Sequence, residues 1–299
     1  MKDIYPFSSR FLNLGGVRCH YLDEGHGEVL VMVHGNPTWS FHFRRLVQSL
    51  RDRYRVVVPD HIGCGLSDKP QEYDYTLRRH INNLEQLIRE LGLKRITLIM
   101  HDWGGPIGMG YAVRHPENVH RLVVFNTAAF WLPELPLGLH ILRQPVIGPF
   151  LVRRLNVFAR GAPYVACRRK RLTGKERAGY LAPYNNFANR VAVWRFIRDI
   201  PLGRAHPSFA TLRDVEEGLP QLRDHPLLII WGGRDPVFTY RFLDEWERRF
   251  PAAFVRVIED AGHFVVEDGF DEILLWLNEF LRGDTAIRRI PSGAAHQNR

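Results

Sequence analysis

Short apolar runs rich in β-branched residues recur along the chain, with longer amphipathic stretches between them. Residues 29–33 (Val-Leu-Val-Met-Val), 55–58 (Arg-Val-Val-Val), 96–100 (Ile-Thr-Leu-Ile-Met), 121–125 (Arg-Leu-Val-Val-Phe), 227–231 (Leu-Leu-Ile-Ile-Trp) and 254–258 (Phe-Val-Arg-Val-Ile) read as strands. Segments 42–51, 79–91, 106–115, 240–249 and 270–282 carry helical patterns. Strands alternating with helices predict an α/β fold: a mostly parallel sheet flanked by helices. Ligands of such sheets bind beyond the carboxyl ends of the strands. Most of the residues that draw chemical interest here stand just after a strand.

The interval 127–225 breaks the alternation. It holds apolar and basic helical stretches but no clear strand. We read residues 131–214 as a helical cap, inserted into a core made of 1–130 and 215–283. A lid over strand ends excludes water and shapes an apolar pocket. The stretch 284–299 is polar with Gly, Ala and Ser, and is expected to be disordered.

Composition narrows the class. The 299 residues, 45% hydrophobic, suffice for one large α/β domain with an insertion, and 12% aromatic content argues against disorder. No stretch of 18 apolar residues is free of charge, so no membrane span is expected. The start, Met1-Lys2-Asp3-Ile4-Tyr5-Pro6, lacks the apolar run of a signal peptide. Cys19, Cys64 and Cys167 are far apart and show no metal spacing. A cytoplasmic protein with reduced thiols is the expectation.

Charge is uneven. Between residues 141 and 180 lie Arg143, Arg153, Arg154, Arg160, Arg168, Arg169, Lys170, Arg171, Lys175 and Arg177, against one acid, Glu176. That segment holds the whole formal net charge of +9. It reads as a docking face for acidic proteins or anionic lipid, or equally as a solvated helix face. No nucleic-acid motif accompanies it.

The sharpest local feature follows the strand 96–100. His101, Asp102, Trp103, Gly104 and Gly105 lead into a helical pattern after Pro106. Strand, Gly-bounded turn and helix make a nucleophile elbow with Asp102 at its tip. A carboxylate attacks carbon without first losing a proton. Taken alone, the five residues fit a helix-capping aspartate as well. Met100 is larger than the residue an elbow usually prefers two places before the nucleophile.

Other strand ends supply partners. His263 follows Gly262 after the strand 254–258, and Asp235 follows the strand 227–231. The order nucleophile, acid, base (Asp102, Asp235, His263) is one in which a triad can be strung along such a sheet. Asn36 follows the strand 29–33. Its backbone N–H and that of Trp103 are candidate oxyanion donors, and both side chains carry neutral N–H groups that can hold an anion.

These motifs resemble the haloalkane dehalogenase group of α/β-hydrolases. The matching segments are His-Gly-Asn-Pro-Thr-Trp (34–39), Pro-Asp-His-Ile-Gly-Cys-Gly-Leu-Ser-Asp-Lys-Pro (59–70) and His-Asp-Trp-Gly-Gly (101–105), and the resemblance spans about residues 10 to 282. It implies an α/β-hydrolase fold with an inserted helical cap. Where the group places its acid after the sixth or the seventh strand, this chain has Asn126 after the sixth, so the resemblance assigns the acid to Asp235. Residues 35–41, 60–65, 126–130, 182–184 and 244–246 are more similar to the OleB-type β-lactone decarboxylases of bacterial olefin biosynthesis than to true dehalogenases. That branch implies a long-chain cis-dialkyl β-lactone as substrate, an alkene and CO2 as products, no metal or organic cofactor, and assembly with lactone-forming enzymes. The basic segment 143–177 would be the docking face, or would rest on an anionic membrane surface as a peripheral contact.

Three alternatives stay open on sequence. A haloalkane dehalogenase would use the same residues, with Asn36 and Trp103 holding halide. An epoxide hydrolase would recruit cap tyrosines, and Tyr164, Tyr180 and Tyr184 lie in the cap; Asn36 argues against it. A non-catalytic interaction module would leave the triad idle.

Overall fold

Alternation along the strands decides the layering. The computed structural model describes residues 3–283. Eight strands form one sheet: β1 (Arg10–Leu14), β2 (Val17–Glu24), β3 (Glu28–Val33), β4 (Tyr54–Pro59), β5 (Ile96–His101), β6 (Val119–Phe125), β7 (Leu227–Gly232) and β8 (Phe254–Ile258). Their order is β1-β2-β4-β3-β5-β6-β7-β8. β1, β2 and β4 pair antiparallel in turn, and every ladder from β4 to β8 is parallel. All six expected strands are present within two residues of their expected ends. The hairpin β1–β2 was not anticipated.

Helices α1 (Arg44–Leu50), α2 (Leu77–Glu90) and α3 (Gly104–Arg114) follow the first strands. Between β6 and β7 the chain makes α4 (Leu137–Leu142), α5 (Ile147–Pro149) continued by a π-helical turn (Phe150–Arg154), α6 (Val157–Val165), α7 (Gly174–Leu181), α8 (Val191–Arg198) and α9 (Pro207–Gly218). α10 (Tyr240–Arg249), α11 (Val265–Asp268) and α12 (Phe270–Arg282) complete the core. Val31, Leu98, Val124 and Ile229 point to the face covered by α2, α3 and α10, while Leu30, Ile99, Val123 and Ile230 point to the face covered by α1 and α12. Each large apolar side chain so buried is worth about 2 kcal/mol against exposure.

The stretch between β6 and β7 is made of helices and loops and holds no strand among the described residues. Its expected end at residue 214 falls inside α9, which packs against α2 and α3 of the core. The segment 284–299, expected to be disordered, lies outside the described residues. Among the described residues no helix is long and apolar enough to cross a membrane.

Candidate active site

The elbow is built by glycines. Asp102 sits at φ +52°, in the left-handed region that a non-glycine residue adopts only when its surroundings impose it. A Cβ on Gly104 would meet the Val33 carbonyl oxygen at 1.9 Å, and one on Gly35 would meet Asp102 Oδ1 at 2.0 Å. Only glycine lets β3, the turn and the loop that carries Asp102 approach so closely. Met100 fits because α3 carries Gly108 opposite it; a Cβ there would lie 2.5 Å from the Met100 sulfur.

The two carboxylate oxygens of Asp102 have different surroundings. Oδ1 accepts the Asn36 backbone N–H at 2.6 Å. Oδ2 lies 3.7 Å from His263 Nε2. Burial pushes the Asp102 carboxyl above its ordinary value, against the pull of His263 and of the Asn36 and Trp103 N–H groups.

His263 Nδ1 stands 2.7 Å from Asp235 Oδ2. The other oxygen of Asp235 accepts the N–H groups of Val237 and Phe238, so the carboxylate is fully engaged. Burial alone would depress the imidazole; the Asp235 charge outweighs it and raises the His263 pKa. Phe238 stacks on the ring at a centroid distance of 5.7 Å. Asn126 does not reach His263. Its side-chain amide exchanges hydrogen bonds with the backbone of Gly232 at 2.8 and 3.1 Å, clamping β6 to β7.

Asn36 and Trp103 both line a cavity of about 450 Å³ over Asp102 and His263, a size suited to a small-molecule ligand. The Asn36 amide is not wholly free. One N–H goes to the Val193 carbonyl of α8 at 3.0 Å, while its Oδ1 is buried without a partner among the described residues. The indole N–H groups of Trp39, Trp131, Trp194, Trp231 and Trp246 each reach a backbone carbonyl. That of Trp103 reaches none among the described residues. The remaining wall is almost entirely apolar, with Phe130, Trp131, Leu139, Phe158 and Phe242 prominent. Among the described residues Glu134 is the one further ionisable group in the wall, and it pairs with Arg241.

The cap tyrosines are turned elsewhere. Tyr180 donates to Glu267, Tyr184 donates to the Thr38 carbonyl, and Tyr164 is 66% exposed. None of the three lines the cavity, so none can protonate an epoxide oxygen there.

Sequence reasoning missed several supports of His263. His101 Nε2 donates to the His263 carbonyl at 2.9 Å. Its place beside Asp102 was the available signal. Asp268 accepts the N–H groups of Gly262, Arg168, Arg169 and Lys170, and Phe264 N–H donates to the Ala166 carbonyl. The histidine loop and the cap segment 166–170 are therefore stitched together. Arg169 also pairs with Asp260 and Glu272, which removes it from any free docking face. The motif 59–70 has a structural use as well. The buried Asp60 carboxylate takes the Ser40 and Leu66 N–H groups and His20 Nδ1.

An aspartate on a strained elbow, facing a carboxylate-bound histidine under a helical cap, defines the class. The α/β-hydrolase fold model matches residues 28–270, and the chain belongs to that family. Within the family it is similar to a cis-3-alkyl-4-alkyloxetan-2-one decarboxylase of Shewanella oneidensis, 46% identical over 287 residues (94% of this chain, 90% of the relative). A protein of the same name from Xanthomonas campestris is 42% identical, with 93% of this chain and 97% of the relative covered. Among solved structures, a variant of the haloalkane dehalogenase DatA from Agrobacterium tumefaciens superposes with a TM-score of 0.82 at 25% identity, over 92% of this chain and 96% of that one.

Proposed function

We propose that this chain is a β-lactone decarboxylase, converting a long-chain cis-3,4-dialkyl oxetan-2-one to a cis-alkene and CO2. One observation carries the reading: a carboxylate in the wall of an apolar cavity, with Oδ1 held by the Asn36 N–H and Oδ2 facing His263. The names of the two relatives supply the substrate class.

In this reading Asp102 Oδ2 attacks the ring carbon that bears the ring oxygen, with inversion. The carbon–oxygen bond breaks and the ring oxygen departs as a carboxylate. Asn36 and Trp103 donate to that developing charge. The intermediate is an alkyl ester of Asp102 with a carboxylate on the neighbouring carbon. The bond to that carboxylate then breaks, its electron pair forms the double bond, CO2 leaves, and Asp102 returns as a carboxylate. Inversion followed by anti elimination keeps the two alkyl groups cis. Protonated His263, held by Asp235, steadies the negative charge returning to Asp102. No water, metal or cofactor enters the balance.

The unengaged Trp103 indole beside Asn36 favours a second reading, haloalkane dehalogenation. Asp102 would then displace halide, and water activated by neutral His263 would open the ester. Gas chromatography of purified protein incubated separately with a cis-dialkyl β-lactone and with 1-bromohexane separates the two. Alkene with little bromide is expected; rapid bromide release with intact lactone overturns the decarboxylase.

The same reading puts the enzyme in the cytoplasm, with the basic segment 143–177 meeting lactone-forming enzymes or an anionic membrane surface.

A further inference from the structure

The cap shows to solvent what a folded surface ordinarily hides. Ten of the thirteen exposed large apolar side chains among the described residues lie between 137 and 187. Leu137 is 76% exposed, Val146 80% and Phe150 56%. They stand on α4, on the 147–154 segment and beside them, in elements that pack on one another and on α6. Concentrations of this kind mark an interaction site.

Charge identifies the partner. Residues 135–175 contain no Asp or Glu. Arg154 and Arg160 are exposed on this stretch, and neither has an acidic partner among the described residues. Aliphatic and aromatic side chains mixed with unpaired arginines are what an anionic lipid interface selects.

The cavity opens on the same side. Four lining residues are also exposed to solvent: Gly138 on α4, Val157 and Val165 on α6, and Pro236 on the loop after β7. The mouth is therefore bounded by α4, α6 and the loop after β7, and exposed apolar residues of the cap form part of its rim. Alkyl chains too long for a chamber of about 450 Å³ leave through it.

We propose that α4, the 147–154 segment and α6 form a seat on bilayers rich in anionic phospholipid, with the cavity mouth opening into the acyl layer. The substrate argument rests on the long-chain lactone reading above. Such a lactone and its alkene product dissolve in a bilayer and not in water. A mouth seated in lipid exchanges both without carrying them through solvent, and the apolar residues around it replace water contact with hydrocarbon.

The test is cosedimentation of the full chain with vesicles of phosphatidylcholine alone or with about one third phosphatidylglycerol, at about 0.15 M salt. Two variants accompany it. Val146→Ser, Ile147→Ser and Phe150→Ser together remove apolar surface that does not line the cavity. Arg154→Glu with Arg160→Glu reverses the charge. Turnover of a short-chain, water-dispersed β-lactone without vesicles reports in parallel on the fold and the site.

The wild type is expected to bind anionic vesicles. The triple variant should bind at least about tenfold more weakly with unchanged short-chain turnover. The charge reversal should abolish the preference for phosphatidylglycerol. A wild type that leaves anionic vesicles unbound overturns the seat and assigns that face to a protein partner. Binding unchanged in the triple variant overturns it too. A wild type that binds vesicles yet turns over no lactone retires the decarboxylase reading and leaves the seat standing.

Discussion

The sheet and the cap use apolar residues in opposite ways. Every residue of β5 and β7 is buried, and in the loops after them Asp102 accepts the Asn36 N–H from the loop after β3 and Asp235 accepts the Val237 N–H. In the cap, α4 and α6 divide their apolar residues between the cavity wall and water. The difference separates two tasks. The sheet holds the strand-end side chains in place through buried backbone contacts. The cap supplies an apolar path and surface, for which exact placement matters less.

The largest effect should come from the sheet side. Asp102→Asn is expected to lower kcat for the lactone at least about 10⁴-fold, while thermal unfolding moves by less than about 1 kcal/mol. Comparable loss of stability and activity would mean that the residue holds the turn rather than the substrate.

His263 sharpens the comparison through pH. Its pKa is raised by Asp235. In decarboxylation the charged imidazole is the working form, so the lactone rate should fall as pH rises through that raised value. In ester hydrolysis the neutral form works, so halide turnover should rise over the same range. Turnover in ¹⁸O-water gives an independent reading, with label entering the Asp102 carboxylate only when water opens the ester. A lactone rate that climbs with pH and labels Asp102 would sink the water-free route.

The smallest effect concerns the seam between the regions. Asp199, at the end of α8, accepts the Leu77 N–H of α2 and the Ser208 hydroxyl of α9. Burial pushes its pKa from 3.8 to about 7. The folded state therefore keeps a proton that the unfolded chain releases, and stability falls as pH rises from about 4 to 7. Asp199→Asn should remove about 2 kcal/mol of that fall, measured by thermal denaturation at pH 5 and pH 8. An unchanged pH dependence would place its source elsewhere.

The sheet was legible because burial on both faces writes itself as unbroken apolar runs such as Leu227–Trp231. The hairpin β1–β2 was not, since Arg10, Asn13, Arg18 and Glu24 interrupt any apolar run. Its turn at Gly15-Gly16, both at positive φ, was the available signal. The five candidate site residues stand after β3, β5, β7 and β8, where strand-end reasoning looks. Contacts joining distant segments left no local pattern. Nothing around Asp268 announces that it gathers N–H groups from Arg168, Arg169 and Lys170, and nothing near Asn36 points to Val193.

Those contacts of residues 166–170 bear on how such enzymes can be recombined. Asp268 and the Ala166 carbonyl bind the cap to the loop that carries His263. A cap transplanted from a relative brings its own version of that segment, and with it a new resting position for the histidine. Exchange of caps in this fold thus trades substrate range and catalytic register together, and a graft that stops short of residue 166 keeps the second while changing the first.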